Sequence, residues 1–140
     1  MRIIEKKKIL RVIDANLNRA KEGLRICEDI ARFVLDQKNE TEQYKDIRHQ
    51  LTQACFFIVG SKKNIICARD IIKDVGKKTV ASELKRKGIK DIFYANSQRS
   101  KESIRVLEEF TKLIDPKKAL VCKKMRYSVY ELERKIVCLF

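Results

Sequence analysis

Ala15-Asn16-Leu17-Asn18-Arg19-Ala20-Lys21-Glu22-Gly23-Leu24-Arg25-Ile26-Cys27-Glu28 returns as Ala95-Asn96-Ser97-Gln98-Arg99-Ser100-Lys101-Glu102-Ser103-Ile104-Arg105-Val106-Leu107-Glu108, without a gap and at a constant offset of 80 residues. Seven of the fourteen positions are identical, and most of these are polar. Two packed helices need only their apolar pattern in common. A pair that also repeats Asn, Arg, Lys and Glu predicts two copies of a ligand-facing surface.

Plotted at about 100° per residue, Ile13, Leu17, Ala20, Leu24, Cys27, Ala31 and Val34 form the seam of a packed helix. Val12, Ile26, Ile30 and Phe33 add a second stripe beside it, giving an apolar arc of roughly 200° on the same geometry. Asn16, Arg19 and Gly23 fall inside that arc, as do Asn96, Arg99 and Ser103 in the second copy. Buried Asn and Arg are costly unless paired, and a mid-helix Gly costs about 1 kcal/mol relative to Ala, so a bound ligand is expected at this notch. Arg25 and Glu28 rotate away from the arc and read as a solvated ion-pair ladder. Glu22 lies at its edge, placed to orient Arg19, to hold a metal or to form a plain ion pair, and Glu102 is its counterpart.

The repeat sets the organisation of the chain. The first helix is expected from about Lys8 to Gln37. Asn39 and Glu42 resemble a capping pair opening a second helix that carries Tyr44, Ile47, Leu51, Ala54, Cys55 and Ile58 and stops at Gly60. Residues 61 to 78 read as a loop with a short extended piece at Asn64 to Cys67, followed by a short helix from Ser82 to Arg86 ended by Gly88. A third long helix, about Lys90 to Leu113, holds the second copy. Asp115-Pro116 then supplies an N-cap and a first-turn proline for a fourth. The fold class is therefore all-α. A pseudo-twofold four-helix bundle of two repeated hairpins, about 9–59 and 89–139 within one domain spanning 1–140, carries a central functional loop. The Arg19 and Arg99 notches are expected to share one cleft, which Arg48 and Arg126 reach from the return helices unless they are ordinary surface residues.

With 140 residues, four Gly and one Pro, the composition suits helices. No apolar run is long enough to span a bilayer, the first residues hold no signal-peptide core, and five cysteines without metal-ligand spacing fit a cytoplasmic setting. His49 is the only histidine and has no third partner for a nucleophilic site. The net charge of +14 implies anionic partners but does not say which ones. Nucleic acid is permitted but not indicated, because aromatics are not interleaved with the basic runs. The oligomeric state, a homodimer included, stays open.

Between the copies lies Ala68-Arg69-Asp70-Ile71-Ile72-Lys73-Asp74-Val75-Gly76-Lys77-Lys78-Thr79. Two aspartates among cations in a loop suit Mg²⁺ bound with phosphate, since Mg²⁺ takes one or two carboxylates and completes its shell with phosphate oxygens and water. Gly76-Lys77-x-Thr79 is not a P-loop, because Ile71 stands where that motif needs its first Gly and Lys78 where it needs Ser or Thr.

Ala15 to Glu28, Ala68 to Gly76, Ala95 to Glu109 and Arg126 to Glu133 together resemble the small monofunctional hydroxymethylpyrimidine phosphate kinases of thiamine biosynthesis. In many bacteria that domain is fused in front of thiamine phosphate synthase, and this chain ends where such a synthase would begin. The family's loop usually reads A-R-D-T-P-G-D-V-G-T; here Ile71-Ile72-Lys73 replaces the Pro-Gly turn and Lys77 follows Gly76. The resemblance implies transfer of the γ-phosphoryl group of ATP to hydroxymethylpyrimidine phosphate, and a link to the synthase. In that chemistry the acceptor is already an oxyanion, so charge neutralisation and alignment dominate. Arg19 and Arg99 are assigned as phosphate clamps, Asn16 and Asn96 as orienting groups, and Asp70 with Asp74 as Mg²⁺ ligands. Glu22, Glu102, Arg48, Arg69 and Arg126 are further substrate-binding candidates, and Lys73 adds a phosphate contact. Two other readings remain: a non-catalytic phosphate-ligand or synthase-associated module, and a basic nucleic-acid-binding helical domain.

Overall fold

Four long helices follow from the apolar spacing, and the computed structural model contains them: α1 (Ile3–Asp29), α2 (Lys38–Val59), α4 (Ile89–Thr111) and α5 (Pro116–Val137). The structure describes the backbone of residues 1–140 and all side chains except those at positions 57–59 and 82–83. Ile58, expected on the inner face of the second helix, and Ser82, expected to open the short one, lie outside the described side chains.

Each boundary has a local cause. Asp115 caps α5 by accepting from the backbone N–H groups of Lys117 at 3.0 Å and Lys118 at 3.4 Å, with Pro116 in the first turn. Gly60 ends α2 in the left-handed region at φ 77°, where a side chain is strained. The Asn39–Glu42 capping pair is not formed: α2 starts two residues earlier, with Gln37 at its N-cap making no side-chain cap. The extended piece expected at Asn64 to Cys67 is instead helix α3 (Lys62–Cys67), because Ser61 Oγ accepts from the Asn64 N–H at 3.2 Å and Ile65 is drawn into the core. A 3₁₀ turn, Ala81–Leu84, stands near the expected short helix.

The first helix does not end as the wheel predicts. Ile30–Val34 forms a π-helical turn in which the Leu35 N–H reaches the Ile30 carbonyl at 3.1 Å. A π turn adds a residue per revolution, so it rotates the stripe and leaves Val34, expected on the seam, at 46% exposure. Ile13, Leu17, Ala20, Leu24, Cys27 and Ala31 are buried as expected. Val12, Arg19, Ile26 and Phe33 stand seven residues apart in one column, and that column is the rim of the bundle rather than core.

Helices α1 and α2 form one hairpin and α4 and α5 the other, with α1 packed on α4 and α2 on α5. Ser100 Oγ lies 3.5 Å from the Ala20 carbonyl, and a Cβ on Gly23 would meet the Asn96 carbonyl at 2.7 Å. As α1 advances α4 retreats, so the two are antiparallel. Ala20 and Ser100 are equivalent positions of the repeat, which puts their contact on the pseudo-twofold axis. Gly23 therefore serves a close helix crossing, not a ligand notch. The core joins inward residues of all four helices, including Tyr44, Leu51, Phe93, Leu107, Val129 and Ile136.

Candidate functional site

The site forms where the segment after α3 folds back onto the first half of α1. Asp14 is buried on α1 and takes Arg69 in a two-point ion pair, Nε to Oδ2 at 2.5 Å and Nη2 to Oδ1 at 2.8 Å. Asn18, one turn on, donates to Asp14 Oδ1 at 3.2 Å. Arg11 Nη2 donates to the Asp70 carbonyl at 3.4 Å. The Asp14 hydrogen bonds, which outweigh the small effect of desolvation, raise Arg69 above its ordinary value.

Beyond that anchor, the aspartates shape the loop where the Pro-Gly turn is missing. Asp70 Oδ1 accepts from the Lys73 N–H at 3.1 Å and Asp74 Oδ1 from the Gly76 N–H at 3.0 Å, two side-chain turns that need neither Pro nor Gly between them. Both carboxylates line a cavity of about 580 Å³. Its walls also carry Lys8, Arg11, Asn16 and Arg19 from α1. With Arg69, four cations and the two loop aspartates face one volume, while the third carboxylate, Asp14, is committed to Arg69.

The first copy thus brings Asn16 and Arg19 to the aspartates. The second copy does not join them: Asn96, Arg99 and Glu102 are not among the residues lining this cavity. Arg99 instead approaches Glu22 at 3.9 Å across the α1–α4 contact, with both side chains more than half exposed, and such a pair contributes little. Glu102 accepts from Gln98 at 3.0 Å. Each Asn amide is used locally, Asn16 donating to the Val12 carbonyl at 2.9 Å and Asn96 to that of Ile92 at 2.8 Å. Their carbonyl ends are the part left for a ligand.

Arg19 and Arg99 are exposed, contrary to the buried notch read from the wheel, because their column is the bundle's rim. Burial is therefore no argument against nucleic acid.

Arg48 and Arg126 have a different task. Arg48 Nε donates to Glu28 Oε2 at 2.7 Å, and Arg126 donates through Nε and Nη2 to Glu108 Oε2 at 3.2 and 3.0 Å. Glu28 and Glu108 are buried, so they are not the solvated ladder expected of them. Burial works against the charge of Arg126, and the hydrogen bond and field of Glu108 outweigh it to raise its pKa. These pairs clip each hairpin together. Reading the sequence missed Asp14, Arg11 and Lys8 as site residues. Asp14 alone left a signal, a carboxylate beside Ile13 on the apolar seam, which needs a partner.

Among the described residues no group of three or more His, Cys, Asp and Glu side chains is placed to hold a metal ion, and no helix is long and apolar enough to cross a membrane. Residues 11–135 match the ThiD2 family. The chain belongs to the ThiD2 family. It is also 41% identical over 126 residues to a thiamine-phosphate synthase of Synechocystis sp., an alignment covering 89% of this chain and 35% of that protein. Proteins of the same name from Nostoc punctiforme and Rhodopirellula baltica are 39% and 37% identical, covering 92% and 94% of this chain and 35% of each. The chain spans about a third of the length of these relatives. No solved structure matches.

Proposed function

We propose that the chain acts in thiamine biosynthesis as a phosphotransferase, moving the γ-phosphoryl group of ATP onto hydroxymethylpyrimidine phosphate to give the diphosphate. The observation that carries this reading is the meeting of Arg19, Arg11, Lys8 and Arg69 with Asp70 and Asp74 around one cavity. Phosphoryl transfer between two phosphorylated substrates gathers charge at one point, and its catalysis is mainly neutralisation and alignment. Asp70 and Asp74 fit Mg²⁺: each spends Oδ1 on a turn and keeps Oδ2, and two carboxylates are the usual protein share of such a site. Mg²⁺ would draw charge from the transferred group. Arg19 and the α1 cations hold the substrate phosphates, and Asn16 presents its carbonyl to the pyrimidine or a phosphate-bound water.

A second reading has its own support. The relatives named thiamine-phosphate synthase are about three times as long as the matched segment, which favours a module that binds a pyrimidine phosphate for a synthase without turning over ATP. Incubation with Mg-ATP and hydroxymethylpyrimidine phosphate, followed by mass spectrometry, separates the two. Appearance of the diphosphate supports the kinase. A folded protein that binds the monophosphate and yields none refutes it in favour of the binding module.

A further inference from the structure

Asp14 stands apart from the other cavity carboxylates because both its oxygens are already used, and because the repeat does not copy it. Tyr94 occupies the equivalent position in the second half. Its two-point contact takes the Nε and Nη2 side of Arg69. A guanidinium carries five donors in a fixed planar fork, so this grip sets the plane of the group and leaves the Nη1 edge for an anion. The same contact ties down the residue immediately before Asp70, and Arg11 holds the Asp70 carbonyl from the same helix. Asp14 has 8% and Arg69 40% side-chain exposure, so the anchor is dry while the guanidinium it aims still lines the cavity.

We propose that Asp14 is a positioning residue: it aims Arg69 at a phosphate in the cavity and, through the Arg69–Asp70 peptide, holds Asp70 and Asp74 at the distance from α1 that a diphosphate group needs. This rests on the cavity being the phosphate site of the proposed function, though not on turnover of ATP. The ligand class is a diphosphate group presented with a divalent cation.

The test uses inorganic pyrophosphate with Mg²⁺ as the probe, titrated calorimetrically into the whole chain and into Asp14→Asn, Arg69→Ala and the double variant. Removing a residue that orients a ligand-binding group commonly weakens binding about tenfold or more, and that loss is expected for Asp14→Asn. Once Arg69 is gone Asp14 has nothing to aim, so the double variant should bind no more weakly than Arg69→Ala alone. Glu28→Gln, whose carboxylate is buried in a pair away from the cavity, controls for instability: it should lower the melting midpoint and leave pyrophosphate affinity unchanged. Wild-type affinity in a folded Asp14→Asn overturns the proposal, as does an additive loss in the double variant. If the wild-type chain makes no diphosphate product yet pyrophosphate binding depends on Asp14 in this way, the kinase reading fails and the positioning role stands. No pyrophosphate binding by the folded wild type overturns the positioning role, while the kinase reading stands or falls on the diphosphate product alone.

Discussion

The two copies of the repeat share their polar residues and differ in their site. In both, an Asn amide caps a carbonyl four residues back, and a buried Glu on the long helix takes an Arg from the return helix. What the copies do not share is the run ahead of Ala15 and Ala95. Lys8, Arg11 and Asp14 line the cavity in the first, and Gly88, Asp91 and Tyr94 stand at those positions in the second. Repetition here marks much of the scaffold. The candidate site arises where the copies diverged and where the central loop docks on one of them.

The sharpest way to break this comparison is to disrupt the matched clips. Glu28→Ala and Glu108→Ala each leave an arginine uncompensated in a largely buried setting, and breaking such a pair costs about 3 kcal/mol or more. Urea denaturation should show similar losses for both; a loss confined to one copy contradicts a shared structural role.

Next comes the asymmetry of the site. Asp70→Asn, Asp74→Asn and Arg19→Ala should each lower phosphotransfer about a hundredfold, the scale for removing one group that stabilises developing charge, with melting midpoints nearly unchanged because all three lie in a loop or on the rim. Arg99→Ala should lower it far less. Equal losses at Arg19 and Arg99 would mean that the second copy reaches the reaction.

A smaller effect is expected at the axis. Gly23→Ala places a Cβ 2.5 Å from Ser100 Oγ and 2.7 Å from the Asn96 carbonyl, so α1 and α4 must separate. Overpacking of this kind costs about 1–3 kcal/mol. Thermal melts of Gly23→Ala and of Ser103→Ala, its counterpart, test whether the close approach belongs to one helix; unaltered stability in the Gly23 variant removes the crossing as the reason for that glycine.

The smallest effect concerns Cys27, which stands where the second copy has Leu107. Burial, with the nearby Glu133 carboxylate, pushes its thiol up from 9.0 to about 12. Below pH 9.0 both folded and unfolded thiols hold their protons. Above it only the unfolded one ionises, so stability should fall as pH rises from 9.0 towards 12. Cys27→Ala should flatten part of that decline in the melting midpoint, and an unchanged pH profile in that variant would remove the buried thiol as its source.

How much was legible in the sequence follows from the range of each interaction. Helix type, the four-helix plan, the Asp115-Pro116 start and the Gly60 stop depend on contacts within a few residues, and the spacing of apolar side chains reported them. The loop between the copies was legible as well, because Asp70 and Asp74 are close in sequence to the backbone groups they hold. The wheel could not foresee the π turn at Ile30–Val34, and it counted the column of Val12, Arg19, Ile26 and Phe33 as core because it treats every apolar stripe as covered.

By itself, then, the sequence determined that two similar helical hairpins would form and that a loop with two aspartates would lie between them, since local geometry and apolar periodicity suffice for that. Tertiary structure alone decided which polar residues became partners. Asp14 and Arg69 are 55 residues apart, Glu28 and Arg48 20, and Glu108 and Arg126 18. Whether a charged side chain clips a hairpin or faces a cavity depends on what packs opposite it, and no periodicity along one helix carries that information.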